Sequence, residues 1–535
     1  MSDPIRIVMA TPVVAPFVPD SGLAEAVRRL GDHLAKLGHD VTIIAPLHGD
    51  SAQRLQFFHD HQFELLDLSI EVPVGPNRVS GKIVRIDPQP GEAAILLIDQ
   101  PGYFQRRHPF GDDEGDYRDN CERFVFFCRS VLETIRRLEL EPQVIQCHDW
   151  PTGLIPALLS IEYGNANGFE STASVMTIHN AAHQGQFWHW DMLLTGLDWK
   201  HFNWQQMEFF GKLNFLKTGI VFGDAISTVS QAYARSLLTE DQGCGLHGVL
   251  RGRTGALTGI QYGIDLERWN PESDPHLNRN YTIRTVTIGK LANKQALQRR
   301  LGLSIDPRQM VIGVPGPFEY GRGTDLISRS LPDFLRRGVQ CVFLGRGDAL
   351  IEESIRQLCE CHPHQASATF TDDQSSMSLL LGAADLLLFP HRAEPSGCDA
   401  MIGCRYGALP LAHQAGGLPD VVEDVRHAGR ADSAANGFLF AGLESQYLTG
   451  ALERARSLFH FPEQWQEIVR NAMLWNWSWN ISALNHTRLF EQVCQFSSSP
   501  RSGPGRRSHQ EVGNGEHFGG IDSLRYSTKV GIEHL

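Results

Sequence analysis

A chain of 535 residues is longer than one ordinary hydrophobic core, so two domains are expected. Its 42% hydrophobic and 20% charged residues are typical of a globular protein. The net charge of −13 argues against wholesale binding to nucleic acid or to an anionic membrane, because both require a positive field, whereas a neutral polymer is indifferent to that sign.

The amino terminus and the cysteines indicate the compartment. Residues 1–10 run directly into an apolar strand without a basic segment or cleavage site, so no secretory signal is expected. The ten cysteines lack a framework spacing, which favours thiols in a reducing compartment and predicts a cytoplasmic location. Zinc is an alternative at Cys359, Cys361, His362 and His364, but no second ligand pair lies nearby, so no metal is expected.

The chain begins with a strand, a helix and a second strand. Residues 5–10 form a continuous apolar run, typical of a buried parallel strand. Residues 23–37 carry apolar side chains at helical spacing, and residues 41–45 form the next strand. The loop before this helix contains Gly22, where free backbone N–H groups suit a phosphate, although ordinary turn chemistry explains the glycine equally well.

Polar clusters follow two further apolar strands of the first half. His148-Asp-Trp150 follows the strand at 144–147, and Thr177-Ile-His-Asn180 ends the strand at 175–178. Polar residues at the carboxyl ends of parallel strands face the crevice where ligands bind. A single histidine at such a place is more often structural than catalytic, so the clusters carry weight only together.

The same alternation recurs after residue 310. The hydrophobic pattern predicts strands at 310–314, 339–344 and 384–389 and helices at 325–335 and 350–358. The fold class is therefore α/β, with two Rossmann-like, doubly wound domains and an active-site cleft between them.

The predicted domains cover residues 1–270 and 271–480. A carboxyl-terminal helix is predicted over 481–496. Residues 497–535 are rich in Ser, Gly, Pro and Arg, and this composition predicts a disordered tail.

Two loops of the second domain carry candidate binding groups. Arg322 lies between a strand and a helix, where its guanidinium could bind a diphosphate through parallel hydrogen bonds, unless it is only a solvated loop arginine. Glu394 follows the strand at 384–389. Ser396 and Gly397 then open a helix whose amino terminus can receive an anion.

Taken in order, these motifs resemble those of glycogen and starch synthases, over roughly residues 5–493. The matching stretches are His148-Asp-Trp150, Thr177-Ile-His-Asn180, Gln184-Gly185, Glu208 to Lys217, Ser227 to Ser230, Gly263-Ile-Asp265, Ala292-Asn-Lys294, Glu394-Pro395, Arg405-Tyr-Gly407 and Gly416-Gly-Leu418. The resemblance implies a GT-B fold. It also implies retaining transfer of glucose from ADP-glucose to the 4-hydroxyl at the non-reducing end of an α-1,4-glucan.

The resemblance also implies roles for single residues. Glu394 would bind sugar hydroxyls and support positive charge at the anomeric carbon, His179 would lie beside the glucose, and Arg322 would take the place of a lysine on the departing diphosphate. The implied substrate-binding residues are Gly22, Asp149, Trp150, Asn180, Gln184, Ser396, Gly397 and Cys398. ADP-glucose and glycogen are the implied partners, without a metal or other cofactor.

The sequence departs from the family pattern where phosphates bind. The lysine of the opening K-T-G-G-L is Pro19, the arginine of S-R-L-T is Pro317, and the cysteine of E-P-C-G is Ser396. Losing a buried charge partner costs roughly 2–5 kcal/mol. Two further interpretations therefore stay open, namely a non-catalytic relative that binds glucan as a scaffold, and a GT-B glycosyltransferase with another donor.

Overall fold

The computed structural model describes residues 3–18, 21–112, 114–164, 166–427 and 434–497. Pro19 and the predicted tail from residue 498 onward lie outside these ranges. The chain divides into two compact units. The first unit holds the residues up to Ile260 together with the carboxyl-terminal helix, and the second unit runs over Gln261–Ser478.

The sheet of the first unit has a parallel body and an antiparallel edge. Among the described residues its strands are β1 (Arg6–Ala10), β2 (Asp40–Pro46), β3 (Glu64–Val74), β4 (Asn77–Ile86), β5 (Ala94–Asp99), β6 (Val144–His148), β7 (Ala173–Ile178), β8 (Ala225–Thr228) and β9 (Leu257–Gly259). Their order is β9-β8-β7-β6-β1-β2-β5-β4-β3, in which the pairs β5–β4 and β4–β3 are antiparallel and the other pairs are parallel. The register sets His148 opposite Thr177, so the two predicted polar clusters leave the sheet side by side.

Helices cover this sheet with their apolar faces. Those of five residues or more are α1 (Gly22–Lys36), α2 (Ser51–Asp60), α3 (Asn120–Arg137), α4 (Phe215–Phe222), α5 (Gln231–Ser236) and α6 (His247–Arg251). Ser21 caps α1 by accepting a hydrogen bond from the Ala24 backbone N–H at 3.3 Å. This cap places the backbone of Gly22 in the first turn of α1.

The second unit is a parallel sheet with the strand order of a dinucleotide-binding fold. Its described strands are β10 (Val311–Pro315), β11 (Gln340–Leu344), β12 (Ala366–Thr369), β13 (Leu386–Phe389), β14 (Leu409–His413) and β15 (Phe438–Phe440). The order β12-β11-β10-β13-β14-β15 places the topological switch point between β10 and β13. The loops that carry Arg322 and Glu394 leave the sheet from these two strands.

Helices pack around this second sheet and enclose a continuous apolar core. Those of five residues or more are α7 (Val286–Arg300), α8 (Thr324–Ser330), α9 (Pro332–Arg336), α10 (Ala349–Cys361), α11 (Gln374–Ala383), α12 (Cys398–Arg405), α13 (Ser445–Phe459) and α14 (Pro462–Leu474). The predicted helix over 325–335 is in fact two helices, α8 and α9. Pro332 begins the second, because proline fits the first turn but not a helix interior.

The unit boundary also differs from the predicted one. It lies at 260/261 and not at 270/271, because the segment that follows residue 260 is hydrogen-bonded within the second unit. Gln261 Nε2 donates to the Ser396 carbonyl oxygen at 2.9 Å, and the Ile264 N–H donates to the Trp477 carbonyl oxygen at 2.8 Å. The carboxyl-terminal helix α15 (Trp479–Ser497) packs on α1 of the first unit.

Two features concern possible membrane and metal binding. No helix within the described ranges combines the length and apolarity that a bilayer crossing requires. In the same ranges, no group of three or more His, Cys, Asp or Glu side chains lies close enough to hold a metal ion, and this includes the sequence cluster at 359–364.

Candidate functional site

Two neutral histidines lie together at the carboxyl ends of β6 and β7. His148 Nδ1 and His179 Nε2 are 2.9 Å apart, so one ring donates a hydrogen bond to the other. Burial lowers the pKa of His179 to about 3 and that of His148 well below its usual range. Neither ring carries a charge near neutral pH, so the pair can offer hydrogen bonds without a formal charge.

Asp149 holds the peptide that carries His179. Its Oδ1 accepts hydrogen bonds from the backbone N–H groups of His179 at 2.7 Å and Asn180 at 3.4 Å. Asp149 itself has φ +56° and ψ −177°, a conformation that costs energy for any residue with a side chain. Burial raises the pKa of Asp149 to about 7, because its effect is larger than that of the two N–H donors, which lower the pKa. Strained backbone of this kind concentrates at functional sites.

Trp150 belongs to the same cluster. Its ring packs edge-on against Phe124, with centroids 4.9 Å apart, and against Phe187 at 5.7 Å. Gly185 has φ +60°, and a Cβ on it would meet Trp150 Cε3 at 2.3 Å. The Gln184-Gly185 stretch is therefore glycine-dependent, because the chain must pass directly over the indole.

The predicted substrate-binding role of Gln184 does not match its contacts. Its Nε2 donates to the carbonyl oxygens of Ala181 at 3.1 Å and Cys244 at 2.8 Å. Its Oε1 accepts from Asn214 at 2.8 Å and Gln186 at 3.0 Å. With both hydrogens and both lone pairs used, the amide has no group left for a substrate, and it anchors the loop instead.

Asn180 and Gly22 are more open. The Asn180 side chain accepts a hydrogen bond from the Ala182 N–H at 3.0 Å, and the residue is only half-buried. Gly22 is exposed, its φ is not left-handed, and a Cβ there would meet nothing within 4 Å. Contacts within the described residues therefore do not require glycine at position 22.

In the second unit, Glu394 is buried and bound on both carboxylate oxygens. Oε2 accepts a hydrogen bond from Arg322 Nη1 at 2.7 Å and lies 3.2 Å from His391 Nδ1. Oε1 accepts from the Gly397 N–H at 3.2 Å and from Ser396 Oγ at 3.4 Å. Burial by itself would raise the pKa of Glu394, but the hydrogen bond with His391 and the charge of Arg322 lower it to about 2. The group is thus a fixed carboxylate at any working pH.

Arg322 is positioned by Gly323, and only one of its guanidinium nitrogens contacts other described residues. Gly323 has φ +69°, and a Cβ on it would meet the Pro390 carbonyl oxygen at 2.0 Å. This contact brings the loop after β10 against the loop after β13. The contacts of Arg322 with Glu394, with His391 at 3.3 Å and with Asp399 at 3.6 Å all involve Nη1. Within the described part of the chain, Nε and Nη2 make no hydrogen bond.

The remaining predicted residues form the turn into α12. Gly397 caps this helix with φ +71°, where a side chain would be strained. The Cys398 N–H donates to Ser396 Oγ at 3.4 Å. Burial raises the pKa of the Cys398 thiol to about 12, so this cysteine is an uncharged, packed side chain and not a nucleophile.

Three residues that support these sites were missed by the sequence analysis. His391 touches both Glu394 and Arg322. Gly416 has φ +56°, and a Cβ on it would meet the Glu394 carbonyl oxygen at 1.9 Å. His486, on α15, lowers the pKa of both His148 and His179. Two of them had a signal in the sequence, since His391 directly follows a strand and Gly416 lies in the matched stretch Gly416-Gly-Leu418.

Comparison with known proteins decides the family. A sequence model of the starch synthase catalytic domain matches residues 6–252. The glycogen synthase of Rhodopirellula baltica is 35% identical over 511 residues, which cover 93% of this chain and 100% of that protein. The glycogen synthase of Syntrophotalea carbinolica is 34% identical over 492 residues, with 92% and 99% covered. The chain belongs to the glycogen and starch synthase family.

A solved structure of this family gives the fold. The catalytic domain of starch synthase IV from Arabidopsis thaliana, bound to ADP and acarbose, superposes with a TM-score of 0.80 at 27% identity. The likeness covers 92% of this chain and 100% of that chain. It confirms the GT-B fold with two Rossmann-like domains. As a member of the glycogen and starch synthase family, the chain is a glycosyltransferase.

Asp149 makes the stability of this family member depend on pH. Its pKa is raised to about 7 in the fold from an ordinary value of 3.8. Between these values the folded state binds a proton that the unfolded state has lost, so rising pH lowers the free energy of unfolding. We expect Asp149→Asn to remove this slope. The melting temperature of the variant minus that of the wild type should therefore increase from pH 4 to pH 8. A constant difference between the two melting curves across that range would contradict the assignment.

Proposed function

We propose that the chain is a glycogen synthase that transfers glucose from ADP-glucose to the non-reducing end of an α-1,4-glucan, with retention at the anomeric carbon. One observation carries the proposal. The Glu394 carboxylate is held ionised by Arg322, and Arg322 keeps two guanidinium nitrogens without a partner among the described residues. A negative group for the sugar thus lies beside a positive group for its leaving group.

The reaction develops two opposite charges, and each has a residue to meet it. As the glycosidic bond to ADP lengthens, positive charge grows at the anomeric carbon and is stabilised by the Glu394 carboxylate. Negative charge grows on the departing diphosphate, where Arg322 Nε and Nη2 can donate charge-assisted hydrogen bonds. Because Gly397 and His391 already hold the carboxylate, little reorganisation is needed when the charges appear.

The cluster of the first unit is assigned to the sugars. His179 is neutral, so its ring and its peptide offer hydrogen bonds without a charge. Asp149 fixes that peptide, Trp150 supplies an apolar wall, and Asn180 offers an amide. The exposed backbone of Gly22 at the start of α1 is assigned to the donor phosphate, since a helix amino terminus favours an anion.

The donor and the location rest on supporting observations. The Arabidopsis starch synthase structure holds ADP, which favours an adenine nucleotide as the leaving group here. All ten cysteines are free thiols, as a reducing compartment such as the cytoplasm would maintain them. No metal or organic cofactor enters the proposal.

Transfer of radiolabelled glucose onto glycogen tests the proposal. The wild-type protein is incubated with ADP-glucose or UDP-glucose, and label in precipitated glycogen is counted. We expect incorporation from ADP-glucose to exceed that from UDP-glucose. Binding of ADP without incorporation would instead favour a glucan-binding scaffold, and incorporation from UDP-glucose alone would favour a transferase with a different donor.

Gly22→Ala separates a ligand contact from a structural role. Because the new methyl group meets none of the described residues within 4 Å, we expect an unchanged or slightly higher melting temperature. The KM for ADP-glucose should rise roughly tenfold, equivalent to about 1.4 kcal/mol. Gly248→Ala is the matched control, since Gly248 also lies in a helix with open space at its Cβ position. Equal KM values for both variants would remove Gly22 from the donor site.

A further inference from the structure

Arg346 is an exposed arginine on the loop that follows β11. Its guanidinium makes no hydrogen bond or ion pair with any residue that the structure describes. Its backbone is nevertheless well fixed, since its carbonyl oxygen accepts a hydrogen bond from the Phe318 N–H at 2.8 Å. The side chain therefore projects from an ordered segment without a partner of its own.

The sheet register places Arg346 beside Pro317. Strands β10 and β11 pair in parallel up to Pro315 opposite Leu344, and an isolated bridge then pairs Phe318 with Gly347. Both pairs have the same offset, so Pro317 and Arg346 are opposite each other between them. The two loops stay in contact between these pairs, since a Cβ on Gly316 would lie 2.9 Å from the Gly345 Cα.

The pattern of burial agrees with this register. Phe318 is fully buried against Phe343, whereas Pro317 and Arg346 are both exposed. Both exposed residues lie in the loops that follow β10 and β11. Arg346 and Pro317 are therefore both open to solvent at the carboxyl ends of two neighbouring strands.

This position belongs to the sheet edge that carries the proposed donor site. β11, β10 and β13 are consecutive in the sheet and parallel, so their carboxyl ends meet at one edge. Arg346 follows β11, Arg322 follows β10 and Glu394 follows β13. In sheets of this order, ligands bind at the carboxyl ends of the strands beside the switch point.

Another arginine near this edge is already bound within the protein. Arg392 donates to both carboxylate oxygens of Asp325, at 2.8 and 3.1 Å, and stacks on Tyr320 with 3.7 Å to the ring centroid. Its charge is therefore neutralised where it stands, and it cannot serve an incoming anion without losing these contacts. The unpartnered guanidinium of Arg346 has no such competitor.

We propose that Arg346 binds the diphosphate of the nucleotide sugar, supplying from β11 the cation that Pro317 does not supply from β10. The inference rests on the proposed function for its ligand. Arg346 and Arg322 would then approach the diphosphate from neighbouring strands, one from each side of the loop at Gly316. A guanidinium suits this task because its planar donors match two phosphate oxygens at once.

Calorimetric titration with ADP and with adenosine tests the proposal in the full chain without glucan. We expect Arg346→Ala to weaken ADP binding about tenfold or more, as for the loss of a hydrogen bond to a charged group, and to leave adenosine binding unchanged. Pro317→Arg combined with Arg346→Ala should restore ADP affinity, because the two positions face the same site. Arg336→Ala is the control, since Arg336 is exposed and pairs only with Asp333 on its own helix.

Wild-type ADP affinity in Arg346→Ala would overturn the proposal, as would equal weakening of ADP and adenosine. The binding test is independent of turnover. If the wild type transfers glucose and Arg346→Ala binds ADP equally well, the inference fails and the proposed function stands. If the wild type transfers no glucose but Arg346→Ala loses ADP affinity, the function fails and the diphosphate contact stands.

Discussion

Glu394→Gln is expected to lower the rate of glucosyl transfer about 10²- to 10³-fold while ADP affinity changes little. The amide keeps the shape of the side chain but removes the negative charge that faces the anomeric carbon, and losses of this size follow the removal of one preorganised electrostatic group. Steady-state kinetics with ADP-glucose and glycogen measure the effect, and calorimetry with ADP shows that the donor site persists.

Folding of the Glu394→Gln variant must be shown separately. The amide nitrogen cannot accept a hydrogen bond, so either Arg322 and His391 or Gly397 and Ser396 lose their acceptor. We expect only a small fall in melting temperature, because Arg322 is partly exposed and water can replace the lost contact. Glu453→Gln is the matched control, since Glu453 pairs with Arg456 at the surface. More than a tenth of wild-type activity in Glu394→Gln would contradict the role assigned to Glu394.

Arg322→Ala is expected to reduce kcat about a hundredfold or more, by two routes. It removes the charge assigned to the departing diphosphate, and it leaves the Glu394 carboxylate without its closest cation. Arg322→Lys keeps the charge but carries its donors on one nitrogen and not on the three of a planar guanidinium, so we expect it to recover part of the rate. The pair of variants thus measures how much of the effect depends on charge and how much on the planar fork.

Arg329→Ala is the control for this series, because Arg329 is an exposed arginine on the neighbouring helix α8. Rates are compared at saturating ADP-glucose, where kcat reports stabilisation of the transition state and not uniform binding. A variant Arg322→Ala that changes KM alone would mean that Arg322 only holds the ground-state donor.

Local patterns were enough to predict most of the fold. The apolar run at 5–10 and the helical spacing at 23–37 predicted β1 and α1 to within one residue at each end. Such signals are local, since strand and helix periodicity depend on neighbours in sequence. The break between α8 and α9 was missed even though Pro332 marks it, because the apolar spacing continues across it.

The sequence indicated candidate residues for the site but not the contacts between them. Strand ends and family motifs identified Glu394, Arg322 and His179. They did not show that Arg322 binds Glu394 directly, or that Gly416 lies in close contact with the Glu394 backbone. Gln184 was predicted to bind substrate because it lies in a family motif. In the structure its amide groups are instead all hydrogen-bonded within the protein. These contacts depend on chain segments far apart in sequence, which no single-sequence pattern encodes.

The pairing of Arg346 with Pro317 illustrates the same limit. The sequence shows a proline where its family has an arginine, and by itself this indicates a lost phosphate contact. Only the register of β10 against β11 brings Arg346 to the same end of the sheet as Pro317. Substitutions in neighbouring strands can offset each other's effect on binding. A comparison of single sequence positions counts them as two separate departures from the family pattern.

The central claim is that protein cations alone let a nucleoside diphosphate leave glucose in this chain. The most direct test is the rate of ADP release from ADP-glucose by the wild-type protein with glycogen present, in buffer containing EDTA. The account predicts sustained release of ADP, matched by glucose added to glycogen, at a rate that EDTA leaves unchanged. Tight ADP binding without any release of ADP from ADP-glucose would contradict it.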